Sequence, residues 1–272
     1  MNKTELGAAL RALRLASGKE AKAVARAAAM SAPKLSKIET GRVSPSVLDV
    51  EQILTAVGVS DEVKAEYANI ARAAATETTA WRIIRRAGLH KAQEKTKALE
   101  AQMSLLRLFQ PALIPGLLQT PEYIRAVLGR HALGDEVLRR TMATRLERQE
   151  VLYDSSKDLR FIITEPVLHW RIVSPAKLAA QIDRIISVSR LPHVDIRLTP
   201  LDAPQTDIPN HAFVIRDDRI VSVETVHAEV VVTDPRDVAL YVAKFEGFAA
   251  TALAGDAMRE ALTRIRDSHR TH

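Results

Sequence analysis

Cations and small hydrogen-bonding side chains alternate in the stretch that starts at Met30, which reads MSAPKLSKIETGR. Ser31 is a residue type that caps helix N-termini, and Gly41 can adopt the left-handed conformation that ends many helices. These two signals predict a helix over residues 32–40. Its cations make it a candidate for binding a polyanion.

The two faces of this predicted helix differ in chemistry. At about 100° per residue, Leu35 and Ile38 share one face and would pack inward. The side chains that point away from that face are Pro33, Ser36, Lys37 and Thr40. This pattern also fits an ordinary surface helix whose lysines are merely solvated, so the surrounding sequence has to decide between the two interpretations.

The net charge of the chain is concentrated around this helix. Residues 1–45 contain nine Lys and Arg against three Asp and Glu, whereas residues 46–272 contain 30 of each sign, so the whole excess of +6 lies in the first sixth of the sequence. Neutralising phosphates and releasing their counterions supplies most non-specific affinity for nucleic acid. The charge distribution therefore favours a polyanion-binding N-terminal module.

Composition excludes several other classes of protein. The chain has 272 residues, 47% of them hydrophobic, and no cysteine. Disulfides and thiolate metal sites are thereby excluded, and no apolar run approaches the length of about 18 residues that a membrane span needs. The charged, periodic N-terminus is unlike a secretory signal. We expect a soluble cytoplasmic protein that does not contact membranes.

Catalytic motifs are missing from the sequence. No HExxH, GxSxG or glycine-rich phosphate loop occurs, and the eight histidines show no metal-ligand spacing. Glu165, His169, His211 and Glu224 lie on or beside predicted strands and could converge in a pocket, although satisfied polar groups at strand ends are the more common arrangement. We expect no enzyme activity, no cofactor and no metal.

Helix signals predict a compact all-α domain over residues 1–75. An alanine-rich helix covers residues 21–29, where small side chains let a neighbouring helix approach closely. Ser46 and Asp49 form a capping-box pattern that opens a further helix, and Gly58 ends it.

This region resembles the helix-turn-helix of phage-repressor and Cro-like regulators, the Xre family. The resemblance rests on Leu10 and Arg14, on Val24-Ala25, on Ser31, and on the ending Ile38-Glu39-Thr40-Gly41-Arg42. It implies that Arg14 and Glu39 form a structural ion pair. One departure is Lys19-Glu20-Ala21, which stands where many members have Leu-Ser-Gln and removes a usual helix cap.

The same resemblance implies that the third helix enters the major groove of duplex DNA. Of its polar side chains, Lys37 can reach guanine O6 or N7, while Ala32 can pack on a thymine methyl group. Few side chains of this helix can form hydrogen bonds to base edges, so much of the sequence preference would come from DNA shape. The implied DNA-binding residues are Ala32, Pro33, Ser36 and Lys37 facing bases, Lys34, Thr40 and Arg42 at phosphates or the rim, and Lys22 and Arg26 on the preceding helix.

The middle of the chain is predicted to be helical from Trp81 to Phe109. It begins with a basic cluster that includes Arg82, Arg85 and Arg86 and ends in apolar residues. One interpretation is a second phosphate-contacting or dimerising helix. The other is a connector that packs its apolar side chains inward and leaves its charges solvated.

The last part of the chain has a sequence pattern typical of β-strands. Five short β-branched segments are separated by turn signals and flanked by helices, which predicts an α+β domain with a mainly antiparallel sheet. The predicted organisation is a helix-turn-helix domain at 1–75, a helical connector and the start of a regulatory domain at 76–155, and an α+β regulatory domain at 156–272. The strand-like segments are LRFIITEPVL, HVDIRLTPL, HAFVIRD, RIVSVETV and AEVVVTD.

From Trp81 onward the sequence resembles the C-terminal domain of Scr1-type antitoxin-like regulators of actinobacteria, a DUF5753-like domain. The resemblance rests on Leu99-Glu100-Ala101, Ile114-Pro115-Gly116-Leu117-Leu118-Gln119-Thr120, Glu122-Tyr123, Arg148-Gln149, Val223-Glu224 and the helix with Tyr241 and Phe245. It implies a DNA-binding regulator whose C-terminal domain engages a small partner protein, often encoded beside it.

Together these features predict a sequence-specific transcriptional regulator, a repressor or autoregulator of antitoxin-like type. Repressors of this kind place two DNA-binding domains on half-sites about 34 Å apart. We therefore expect a homodimer and a pseudo-palindromic double-stranded operator. Two alternatives stay open. One is a protein-binding antitoxin-like module with vestigial DNA binding, and the other is a ligand-sensing regulator.

Overall fold

The computed structural model describes residues 3–80, 89–131, 133–204 and 207–270. The chain divides into two compact units, one built on the N-terminal helices and one built on the C-terminal sheet. Within the described ranges, none of the helices is both long and apolar enough to cross a membrane.

The N-terminal unit is built from helices, as the sequence predicts, and its described residues form five of them. Its core consists of leucine, isoleucine, valine and alanine side chains, among them Leu6, Leu10, Leu35 and Ile38, all fully buried. The helices are α1 (Lys3–Ala16), α2 (Ala21–Ala27), α3 (Ala32–Glu39), α4 (Val47–Val57) and α5 (Asp61–Ala75).

The predicted starts of α3 and α4 and the end of α4 are confirmed by their caps, whereas α2 ends at Ala27, two residues before its predicted end. The Ser31 hydroxyl accepts from the backbone N–H of Lys34, and Ser46 and Asp49 form a reciprocal capping box. Gly58 ends α4 in the left-handed conformation at φ 88°. At the start of α2, Glu20 makes no side-chain capping bond, in keeping with the departure noted in the sequence.

Close backbone approach explains two glycines near the end of α3. A Cβ on Gly7 of α1 would lie 2.2 Å from the carbonyl oxygen of Ile38, and a Cβ on Gly41 would lie 2.8 Å from the Cα of Thr4. Gly41 also has a φ of +67°. Helix α1 therefore packs directly against the backbone that ends α3, which fixes the direction of α3.

The C-terminal unit contains the remaining helices and most strands. The helices are α6 (Leu89–Gln102), α7 (Pro121–Leu128), α8 (Asp135–Arg148), α9 (Pro175–Val188), α10 (Pro235–Thr251) and α11 (Gly255–Arg270). A first strand, β1 (Thr76–Ala80), precedes them in the chain. The strands that follow it in the chain are β2 (Leu105–Gln110), β3 (Asp158–Thr164), β4 (Val194–Thr199), β5 (Phe213–Arg216), β6 (Ile220–Glu224) and β7 (Ala228–Val232). The segment Val230–Asp237, which includes the end of β7, is assigned to the N-terminal unit.

The sheet is mixed, which corrects the expectation of a mainly antiparallel one. Five strands lie side by side in the order β6-β5-β2-β3-β4. The pairs β2–β3 and β3–β4 are parallel, and β2–β5 and β5–β6 are antiparallel. The connections that follow β2 and β3 contain helices and are long enough to return the chain to the same end of the sheet, which parallel pairing requires.

The two faces of the sheet are covered differently. Leucine, isoleucine and phenylalanine side chains of β2, β3 and β4 join α7, α9 and α11 in the main core. On the other face the rings of Phe109 and Phe248 stack with centroids 4.2 Å apart, and Phe213 lies 5.4 Å from Phe109. These aromatic contacts hold α10 against the sheet.

The predicted helix from Trp81 to Phe109 is wrong at its C-terminal end. Helix α6 stops at Gln102, and Leu105–Gln110 forms β2, a central strand. The ammonium group of Lys157 donates to the carbonyl oxygens of Ala101 at 3.0 Å and Met103 at 2.8 Å, and these bonds help end α6. The basic cluster at Arg82, Arg85 and Arg86 lies outside the described residues.

Candidate nucleic-acid interface

The α2–turn–α3 segment has the geometry of a helix-turn-helix. Helix α2 ends at a left-handed residue, Ala29 with φ 51°. The backbone N–H of Met30 donates to the carbonyl of Ala25 at 2.9 Å, and that of Ala29 donates to Arg26 at 3.2 Å, the two bonds of a Schellman ending. Val24 and Ala25 are buried on the inner side, so the two helices are held against the core.

The residues expected to contact DNA lie mostly on the outside of this segment. Ala32 is half-buried, and all the others are exposed, namely Pro33, Lys34, Ser36, Lys37, Thr40, Arg42, Lys22 and Arg26. The Thr40 hydroxyl donates to the Ser36 carbonyl at 2.7 Å, which leaves its oxygen lone pairs on the exposed side. Helix α3 thus presents small polar and cationic groups on one outer face.

Arg14 and Glu39 form a bidentate ion pair inside the bundle. Arg14 Nε donates to Glu39 Oε1 at 2.6 Å, and Nη2 donates to Oε2 at 2.9 Å. The two residues are 7% and 8% exposed. The hydrogen bond to Glu39 raises the pKa of Arg14, against the opposing effect of desolvation. The pair occupies the one carboxylate of α3, so the outer face of this helix carries no negative charge.

Lys34 has an ion-pair partner that the sequence pattern did not predict. Its ammonium group lies 2.6 Å from Asp49 Oδ1, while Asp49 Oδ2 accepts from the backbone N–H of Ser46 at 3.1 Å. One carboxylate therefore serves both the capping box of α4 and the start of α3. The two roles were not predicted together because Lys34 and Asp49 are 15 residues apart and only the folded bundle brings them into contact.

Lys19 is a second structural cation. Its ammonium group donates to the carbonyl of Ala56 at 2.7 Å, at the C-terminal end of α4, where the helix dipole favours a positive charge. Its own carbonyl accepts from Arg14 Nη1 at 3.2 Å. By contrast, the side chains of Lys22, Arg26, Lys37 and Arg42 have no hydrogen-bond or ion-pair partner among the described residues.

The four residues considered for a catalytic pocket do not converge. His169 Nε2 lies 3.4 Å from Glu165 Oε1, whereas His211 Nε2 lies 3.3 Å from the Tyr241 hydroxyl. His211 and Glu224 line one cavity that the other two do not line. Within the part of the chain that the structure describes, no group of three or more His, Asp or Glu side chains could hold a metal ion.

Comparison with known sequences agrees with this geometry. Residues 5–67 match the family described as a helix-turn-helix domain. The N-terminal unit therefore contains a helix-turn-helix domain, which supports a DNA-binding regulator. Residues 93–264, well over half of the chain, match the family described as a domain of unknown function, DUF5753. The chain belongs to that family.

Similarity to individual proteins is weak. No curated protein matches the sequence. Among solved structures, TrmBL2, an archaeal chromatin protein with a novel mode of DNA binding, shows 15% identity and a TM-score of 0.32, over 65% of this chain and 53% of that one. Nuc, a phospholipase D family member from Salmonella typhimurium, shows 11% identity and a TM-score of 0.34, over 66% and 98%. The chain thus spans about half the length of TrmBL2, and these values carry no functional conclusion.

Proposed function

We propose that the protein is a sequence-specific transcriptional regulator that places α3 in the major groove of duplex DNA. The observation that carries the proposal is the difference in pairing between acidic and basic side chains of the bundle. The acids Glu39 and Asp49 are each held in an ion pair, while Lys37 and Arg42 stay exposed without a partner among the described residues. Such a surface can exchange its counterions for phosphates without first breaking an internal bond.

The finer parts of the proposal concern assembly and regulation. The protein acts as a repressor or autoregulator, binds a pseudo-palindromic operator as a homodimer, and uses its C-terminal unit to dimerise or to bind a small partner protein. It acts in the cytoplasm and catalyses no reaction. The half-site geometry of helix-turn-helix dimers supports the operator symmetry.

Charge reversal on α3 tests the proposal. Lys37→Glu should weaken binding of the full-length protein to its own promoter by about 5- to 150-fold, because one contact to a base or phosphate is worth about 1–3 kcal/mol. The matched control is Lys177→Glu, which changes the net charge equally at an exposed position on α9. Fluorescence anisotropy with labelled duplex at low salt measures both. Equal losses for the two variants would remove α3 from the interface.

The salt dependence of binding provides an independent measurement. If the four unpartnered cations Lys22, Arg26, Lys37 and Arg42 each neutralise a phosphate, the slope of log K against log salt is about −3.6 per bound protomer, or about −0.9 per contact. Arg42→Gln should reduce the magnitude of that slope by about 0.9. A flat salt response would instead favour the alternative, an antitoxin-like module that binds protein and no longer uses DNA.

A further inference from the structure

A cavity opens in the C-terminal unit at one end of the sheet. Its volume is about 600 Å³, and its wall includes Gln110, Thr164 and Thr199, the last residues of β2, β3 and β4. Because these three strands are parallel neighbours, the cavity lies outside their carboxyl ends. In sheets with parallel strands this crevice is the usual place for a small ligand, and pockets of about 300–1,000 Å³ hold such molecules.

Rings form much of the wall of this cavity. The stacked side chains of Phe109 and Phe248 line it, together with the imidazole of His211. Four of the twelve prolines of the chain also line it, namely Pro111, Pro166, Pro200 and Pro209. Proline fixes its own backbone φ, so a wall that contains several prolines loses little conformational freedom when a ligand binds. The cavity therefore presents a stiff, mainly apolar wall suited to a flat ring, which can stack on an aromatic side chain or meet its edge.

One hydroxyl group in the wall is left without a partner. Thr164 and Thr199 are neighbours at the ends of β3 and β4, and both are buried. The Thr164 hydroxyl donates to the carbonyl of Pro111 at 2.9 Å. The hydroxyl of Thr199, a residue that is only 5% exposed, has no hydrogen-bond partner among the described residues. Buried polar groups in folded proteins almost always have a partner, so this hydroxyl points to a ligand that supplies one.

The carboxyl group in the wall does not give the cavity a free negative charge. Burial raises the pKa of Glu224, which favours its neutral form. When Glu224 is ionised, the guanidinium groups of Arg145, Arg148 and Arg216 interact with it and compensate its charge. A cationic ligand would therefore find no unpaired anion beside it.

The wall carries no free positive charge either. Desolvation and the nearby ammonium group of Lys244 lower the pKa of His211, so its imidazole is neutral at neutral pH. Lys244 itself is paired with Asp207 at 2.8 Å. No Lys or Arg is among the described residues that line the cavity. An anionic ligand would therefore lose its hydration without gaining an opposite charge.

We propose that this cavity binds an uncharged organic molecule that has a flat apolar ring and a hydroxyl or carbonyl oxygen hydrogen-bonded to the Thr199 hydroxyl. The ring removes the apolar wall from water, which is the main favourable contribution to binding. The oxygen gives the buried hydroxyl the partner that the protein does not supply, and it fixes the orientation of the ring. A charged molecule with the same ring binds poorly because the wall compensates neither sign of charge.

Four molecules with one indole ring test the inference. Tryptophol carries a hydroxyl on its side chain, tryptamine an ammonium group and indole-3-acetate a carboxylate, whereas 3-ethylindole has no polar group there. Isothermal titration calorimetry of the full-length protein at neutral pH should show tryptophol binding at least about tenfold more tightly than tryptamine and indole-3-acetate. The comparison separates the effect of charge from that of ring shape.

Thr199→Val isolates the proposed hydrogen bond, because it removes the hydroxyl and keeps the shape of the side chain. The affinity for tryptophol should fall about 3- to 10-fold, and the affinity for 3-ethylindole should not change. The free variant should melt no lower than the wild type, since the hydroxyl has no partner to lose. The matched control is Thr263→Val, at a partly exposed position of α11 outside the cavity, which should leave both affinities unchanged.

A second variant tests the position of the site. Ala112→Trp adds a ring at the rim of the cavity and should reduce tryptophol binding about tenfold or more, with an unchanged thermal melt as the check on folding. No saturable binding of tryptophol, equally tight binding of either charged probe, or an affinity for tryptophol that Thr199→Val leaves unchanged would each overturn the proposal. These titrations contain no DNA, so their failure is separate from a failure of the proposed DNA binding.

Discussion

Arg14 on α1 and Glu39 at the end of α3 meet across the N-terminal bundle in two parallel hydrogen bonds of 2.6 and 2.9 Å. The pair connects the first helix of the unit to the helix that carries the candidate DNA-binding face. Both side chains are buried, so each one depends on the other for its charge to be tolerated. This relationship makes the orientation of α3 sensitive to a residue that does not itself face DNA.

Arg14→Ala should destabilise the N-terminal unit strongly. Removing one partner of a buried ion pair leaves an uncompensated charge and costs about 3–5 kcal/mol. Thermal and urea unfolding followed by circular dichroism measures the loss. The control is Arg11→Ala, three residues earlier on α1 at an exposed position, which should change the free energy of unfolding by less than about 0.5 kcal/mol.

Replacing both members of the pair separates charge from packing. An Arg14→Met, Glu39→Leu double variant should recover much of the stability that Arg14→Ala loses, since hydrophobic replacements of buried ion pairs are often neutral or stabilising. A single Arg14→Ala variant that unfolds at the wild-type denaturant concentration would show that the pair has no structural role.

Lys34 and Lys37 should differ in their contributions to DNA binding although they are neighbours on α3. Lys34 is already paired with Asp49 at 2.6 Å, so a phosphate contact would compete with that bond. Lys37→Ala is expected to weaken DNA binding by about 5- to 100-fold, and Lys34→Ala by no more than about 5-fold. Anisotropy titrations on one duplex compare the two variants, and a larger loss for Lys34→Ala would contradict the assignment.

Gly41→Ala should be much more damaging than Gly18→Ala. Both glycines have a positive φ, 67° and 66°, so alanine is strained by about 1–2 kcal/mol at either position. Only at Gly41 does the added Cβ meet backbone, the Cα of Thr4 at 2.8 Å, whereas nothing lies within 4 Å at Gly18. The difference in free energy of unfolding between the two variants measures the contact between α1 and the end of α3. Equal losses would show that this contact is not tight.

Tyr123 should make the stability of the C-terminal unit fall at alkaline pH. Burial raises the pKa of Tyr123 to about 12, compared with about 10 in an unfolded chain. The unfolded state therefore loses its proton first as the pH rises, and stability decreases between pH 10 and 12 by up to about 2–3 kcal/mol.

A phenylalanine substitution isolates this effect. Tyr123→Phe should flatten the decline in the free energy of unfolding between pH 10 and 12 relative to the wild type. Tyr153→Phe removes a phenol that is 63% exposed and should leave the decline unchanged. Urea unfolding at a series of pH values provides the comparison, and parallel curves for wild type and Tyr123→Phe would contradict the prediction.

The sequence by itself determined the local structure of the N-terminal unit. The helix starts depend on interactions between residues a few positions apart, namely the cap at Ser31 and the capping box of Ser46 and Asp49. The left-handed conformations that follow α3 and α4 are adopted by single residues, Gly41 and Gly58. Helical periodicity likewise identified the buried face of α3 with Leu35 and Ile38. Such signals are readable because the residues that decide them are close together in the chain. The family resemblances added the class of domain.

Only the tertiary structure decided the features that join distant segments. Residues 105–110 continue a helical pattern in sequence and become strand β2 because β3 and β5 supply hydrogen-bonding partners on both sides. The pairing of Lys34 with Asp49 and the cavity around Glu224 likewise assemble from separate parts of the chain. Local propensity is worth only tenths of a kcal/mol per residue, so long-range pairing and burial override it wherever the two disagree.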